Sequence, residues 1–156
     1  MRRTVRGSLH SFDTPLDVWM SPAPAAPILF GAMSAARQEL GRLGEAIAAR
    51  WLRGRGWRVV AERFRSGHRD LDLIVERDGT VAFVEVKTRH RTAFGDPVEA
   101  VSWRKRRELI RSAMVWADRF GPAGASYRFD VVGVVLVGRD AKIRHVENAF
   151  SLPPAG

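Results

Sequence analysis

Asp78-Gly79 lies between two runs rich in apolar residues, Leu71–Glu76 and Val81–Thr88, and constrains the fold more than any other feature of the chain. Asp-Gly favours the two-residue type I′ hairpin turn, whose central residues both take positive φ and whose twist matches the flanking strands. With Asp78 and Gly79 as the loop residues, the numbers of paired positions sum to 157. Asp72 then faces Glu85, Asp70 faces Lys87, and the two-residue period puts all four side chains on one face. Leu71, Leu73, Val84 and Val86 fall on the other face as core, while Ile74 and Phe83 share the polar face nearer the turn.

Two carboxylates directly opposite each other on a sheet repel. A hard divalent cation such as Mg²⁺, which takes oxygen ligands and keeps several waters, resolves that repulsion. Asp72 and Glu85 would each supply an oxygen, and the Val86 backbone carbonyl a third. Lys87 would orient or deprotonate a metal-bound water, or stabilise charge building on a phosphate. The plainer alternative is a surface salt-bridge cluster, Asp70 with Lys87 and spare carboxylates. Spacing alone leaves both readings open.

The rest of the chain supplies the other layers. Ala35–Arg53 reads as an amphipathic helix with Leu40, Leu43, Gly44, Ile47, Ala48 and Trp51 on one stripe and Glu45 at its edge. Trp57–Arg65 reads as a strand. Asp96-Pro97-Val98-Glu99 reads as a helix start, with helical pattern to about Phe120 and a second start signal at Ser102. Tyr127–Val137 and Lys142–Val146 read as strands about the Gly138-Arg139-Asp140 turn. The order is an α/β domain with a mixed sheet flanked by helices. Residues 1–32 are proline-dense with no sustained period, so a disordered extension is expected, with Met33 as an alternative start of translation. The domain is expected over 33–150, and a flexible tail over 151–156.

The formal net charge is +9 on 156 residues, which favours a polyanionic partner. Cysteine is absent, which excludes disulfide frameworks and thiolate metal sites and fits a reducing cytoplasm. No apolar run has the roughly 18 residues needed to cross a bilayer. The densest basic stretch is Arg89, Arg91, Arg104, Lys105, Arg107 and Arg111. Arg104, Arg107 and Arg111 share a helix face as a candidate phosphate track, Lys105 is placed to enter the site itself, and the bland alternative is a solvated face. Asp130, beside Arg128, reads as a structural ion pair. The histidines lack zinc-site spacing. The five tryptophans, Trp51, Trp57 and Trp116 above all, read as core rather than as base-stacking platforms, and Phe94 as the better candidate for stacking on a base.

The ordered motifs Gly44-Glu45, Arg69-Asp70-Leu71-Asp72-Leu73-Ile74, Phe83-Val84-Glu85-Val86-Lys87-Thr88-Arg89, Phe94-Gly95-Asp96-Pro97, Lys105, Arg128-Phe129-Asp130-Val131-Val132 and Asn148-Ala149-Phe150 resemble the bacterial UPF0102 family. That family looks like the PD-(D/E)xK nucleases, and within them the Holliday-junction resolvases. The resemblance implies a restriction-endonuclease-like αβββαβ core and a Mg²⁺- or Mn²⁺-dependent phosphodiesterase site. It makes Asp72 the motif acid, Glu85 and Lys87 the E-x-K pair, and Glu45 the helical carboxylate, a candidate metal or water ligand whose plainer alternative is a boundary carboxylate paired with an arginine. One departure stands out: Arg69-Asp70 occupies the place of the family's Gly-Glu.

The expected function is therefore a metal-dependent endonuclease acting on DNA, branched or single-stranded by analogy, with RNA and a homodimer left open. The alternatives are a non-catalytic nucleic-acid-binding protein that keeps the fold, and an adaptor whose basic face binds a protein or ribosomal RNA.

Overall fold

The structure is a computed structural model that describes residues 26–67, 69–90, 99 and 101–151. The expectations for residues 1–25, Arg91, Phe94, Asp96–Val98 and 152–156 lie outside those residues. The elements are α1 (Ala26–Arg53), β1 (Arg58–Ser66), β2 (Arg69–Arg77), β3 (Thr80–His90), α2 (Trp103–Phe120), β4 (Ser126–Val137) and β5 (Asp140–Phe150). One sheet runs β1-β2-β3-β4-β5. Its neighbours are antiparallel except β3 and β4, which are parallel. Parallel neighbours need a crossover, and α2 supplies it. This is an α/β fold consistent with a restriction-endonuclease-like core.

The hairpin forms as its turn residues dictate. Asp78 and Gly79 have φ of 49° and 74°, both positive as a type I′ turn requires. From Arg77↔Thr80 to Leu73↔Val84, every β2–β3 pair sums to 157. The sheet buries both faces, each under one helix. Ala48, Ala49, Leu52 and Trp57 pack with Leu73, Val75, Ala82, Val84 and Val132 on the α1 side. Leu109, Ile110, Ala113 and Trp116 of α2 pack with Leu71, Ile74, Phe83, Phe129 and Val131. Each fully buried Leu, Ile, Val or Phe contributes roughly 1.5–3 kcal/mol of transfer free energy, so the two layers together hold the central strands.

Four expectations are corrected. The first helix begins at Ala26, nine residues before Ala35. Pro27 falls in its first turn, where the missing N–H costs no hydrogen bond. Residues 31–39 of this helix are exposed, and Leu43 is half exposed rather than on the buried stripe, which centres on Gly44, Ala48 and Leu52. The second helix begins at Trp103, and Glu99 lies in a turn. Ser102 is its N-cap, accepting from the Lys105 N–H at 3.3 Å. Finally, Leu71 packs on the α2 side while Leu73 packs on the α1 side, so the alternation expected to join them breaks at Asp72.

Candidate functional site

The break at Asp72 is where the site opens. The β1–β2 pairs step from Glu62↔Leu73 to Phe64↔Leu71, and the β2–β3 pairs end at Leu73↔Val84; Asp72 belongs to neither set. Arg63, which the β1–β2 register would set against Asp72, has φ 53°, a left-handed conformation uncommon outside glycine. Beyond Leu73 the strands part. β2 stays with β1, while β3 continues against β4 alone as far as His90↔Leu136.

Asp72 uses the gap. Its Oδ2 accepts the Val86 N–H at 2.7 Å, replacing a ladder bond with a side-chain bond. The N–H and C=O of one strand residue leave the same edge, so the Val86 carbonyl also faces this opening. Direct opposition of Asp72 and Glu85 in the ladder is therefore replaced by this side-chain bond, although the two carboxylates still repel. Burial, then the Glu85 charge, pushes the Asp72 carboxyl up to about 7, against the pull of the Val86 N–H and the Lys105 ammonium.

Glu85 is the deepest member, with only 3% of its side chain exposed. Its Oε1 accepts from Lys87 Nζ at 2.7 Å and from Lys105 Nζ. Its Oε2 is buried with no hydrogen-bond partner. Two ammoniums thus compete for one carboxylate oxygen. Burial lowers the Lys87 pKa despite the neighbouring Glu85. Lys105 is also desolvated, but its hydrogen bonds and the Glu85 and Asp72 charges together outweigh this and its pKa is raised. Lys87 is the lysine closer to giving up its proton.

Glu45 reaches the rim of the site from α1. Its Oε2 lies 3.5 Å from Arg63 Nε. Burial raises its pKa against that arginine, and Glu85 and Asp70 add to the rise. Close approach of α1 to β3 depends on Gly44, where an added Cβ would overlap the Thr88 side chain. The expected pairing of Asp70 with Lys87 does not occur. Asp70 instead sits 3.8 Å from Arg65, because the strand separation carries it away while Lys87 turns to Glu85.

The structure thus brings together Glu45, Asp72, Glu85, Lys87 and Lys105, with Val86 presenting its backbone. Arg104, Arg107 and Arg111 lie exposed on the outer side of α2, with Arg104 3.5 Å from Glu108. Lys105 leaves that track for the site. Arg89 follows Lys87 by two residues on the same face of β3, half buried.

The donor set offers a cation the Asp72 carboxylate, the unpartnered Glu85 Oε2 and a backbone carbonyl. Among the described residues, no three His, Cys, Asp or Glu groups stand together as a metal cluster. A cation held by these groups would take two carboxylates and a carbonyl from the chain and would need water to complete its shell, an arrangement that Mg²⁺ accepts.

Asp130 is structural, as expected. It is 1% exposed. Its Oδ2 meets Arg128 at 3.1 Å and His145 at 2.8 Å, and its Oδ1 accepts the Asn148 N–H at 2.9 Å. Trp57 and Trp116 are buried core and Trp51 is partly buried against it, again as expected. Trp103, expected in the core with the other tryptophans, is instead 72% exposed. Its signal was a tryptophan directly after a helix N-cap, outside the apolar stripe of Leu109, Ile110, Ala113 and Trp116.

The model of the uncharacterised protein family UPF0102 matches residues 44–134, a span that holds Glu45, Asp72, Glu85, Lys87 and Lys105. A UPF0102 protein of Chloroherpeton thalassium is 43% identical over 113 residues, covering 72% of this chain and 83% of its own. One of Nocardia farcinica is 44% identical over 116 residues, covering 73% and 91%. One of Myxococcus xanthus is 38% identical over 119 residues, covering 76% and 94%. No helix among the described residues is long and apolar enough to cross a membrane.

Proposed function

The chain belongs to the uncharacterised protein family UPF0102, and from that premise we propose that it is a divalent-metal-dependent endonuclease hydrolysing phosphodiester bonds in DNA. The observation that carries the reading is the parting of β2 from β3 at Leu73. It places the Asp72 carboxylate and the unpartnered Glu85 Oε2 at one opening, with two lysines against the same Glu85. Burying two repelling carboxylates in one opening costs stability, and a bound cation would offset that cost.

Asp72, Glu85 and the Val86 carbonyl would hold Mg²⁺ or Mn²⁺, which when bound polarises the phosphate and lowers the pKa of water. The chain's own residues do the rest. Lys87 stabilises charge growing on the phosphate or takes a proton from the attacking water, a role that its lowered pKa favours. Lys105 holds Glu85 in place and adds positive charge beside the scissile group. The exposed arginines of α2 hold flanking phosphates.

The test is cleavage of labelled branched, single-stranded and duplex DNA, and of RNA, with Mg²⁺ or Mn²⁺ and with Asp72→Ala alongside. Metal-dependent strand scission lost in the variant is expected. Tight binding with no scission under any metal would leave a non-catalytic nucleic-acid-binding protein. The contact of both lysines with Glu85 Oε1 suits that second reading, because it partly neutralises a ligand.

A further inference from the structure

Trp103 is the most exposed of the large apolar side chains described, at 72%. A tryptophan buries 150–250 Å² when it packs, so leaving one in water forgoes one of the largest apolar contributions a residue can make. Trp103 opens α2, directly after the Ser102 cap and two residues before Lys105, whose ammonium is on Glu85. Two residues advance about 3 Å along a helix axis and turn about 200° round it, so the indole stands at the end of α2 that carries the site but on the other side of the helix from the Lys105 side chain. It does not stand alone. The Arg107 guanidinium lies over its ring, 5.9 Å from the centroid. Arg104 and Arg111 flank it on the same exposed side of the helix.

An isolated apolar ring would suit a protein partner, but one backed and flanked by guanidinium groups suits a flat, electron-rich ring linked to phosphates. Every nucleobase has such a face, and it is available only when the base is unpaired or at an end. We infer that Trp103, backed by Arg107, is a stacking platform for an unpaired nucleobase, and that it directs the site towards DNA with single-stranded or unpaired segments. This rests on the reading of the site as one that handles DNA and adds the substrate class to it.

The test is the dissociation constant for a labelled single strand and for a covalently closed relaxed duplex circle, which has no end base to stack, measured in EDTA so that neither is cut. Trp103→Ala and Trp103→Phe are compared with the wild type, and melting temperatures verify that both variants fold. A stacked base is worth ~1–3 kcal/mol by alanine substitution, so Trp103→Ala should weaken single-strand binding roughly 5- to 150-fold. Duplex binding should stay within about twofold, and Trp103→Phe should recover most of the loss.

Equal losses on both substrates, or no loss on either, would overturn the stacking role while leaving metal-dependent cleavage untouched. A solution dimer that Trp103→Ala dissociates would overturn it too, because the ring would then cover a second copy of the chain. A wild type that binds neither substrate would remove the DNA reading of the site as well.

Discussion

Asp72 carries the clearest consequence of the site's physics. Its folded-state pKa of about 7 lies above the ordinary carboxylate value of 3.8. Between those values the folded chain binds more protons than the unfolded one, so this group's contribution to stability is present at low pH and is lost as pH rises through about 7. Asp72→Asn keeps an oxygen to accept the Val86 N–H and removes the charge. The stability of metal-free Asp72→Asn relative to the wild type should therefore rise by about 1–3 kcal/mol, several degrees in melting temperature, between pH 5 and pH 8. Thermal melts in EDTA at the two pH values measure this. A relative stability that fails to rise would make Asp72 a structural partner. The convergence of Asp72, Glu85 and Lys87 was legible in the sequence, because a two-residue turn fixes register. The swing of Asp72 onto the Val86 N–H was not, because it depends on the left-handed backbone at Arg63, where nothing in the residue type signals it.

The elements divide in the same way. The hairpin, both helices and the β4–β5 pair follow from turn residues and apolar period, and the strand ends moved by only a few residues. The start of α1 was hidden because proline density reads as a break, while Pro27 in a first turn is harmless. Leu71 was set on the wrong face because periodicity assumes an unbroken strand. The contact between α1 and β3 makes a test at this scale. Gly44→Ala would gain helix propensity of about 1 kcal/mol, but its Cβ would overlap the Thr88 side chain. We expect a net loss of about 1–3 kcal/mol in urea denaturation. Thr88→Ala in the same chain should restore most of it, since the Thr88 hydroxyl is buried without a partner and its removal forfeits little. Additive losses in the double variant would show that the two residues do not share this contact.

For the whole molecule, an excess of nine positive charges on 156 residues sets how it meets DNA. Affinity should fall steeply with salt as phosphate contacts release counterions, by about 0.9 in the log–log slope for each contact on duplex DNA. Replacing Arg104, Arg107 and Arg111 together by Ala should flatten that slope, and an unchanged slope would move the binding face off α2. Electrostatics of this kind gives binding, whereas cleavage requires the cation. The central claim is that Asp72 and Glu85 together hold it. Calorimetric titration of the chain with Mn²⁺ at pH 8 tests this most directly. The account predicts one site in the wild type, its loss in Asp72→Asn and in Glu85→Gln, and its retention in Lys87→Ala, because an ammonium is not a ligand. Binding should also weaken towards pH 6, since the metal must displace the Asp72 proton. Undiminished Mn²⁺ binding in Asp72→Asn, or none in the wild type, would contradict it.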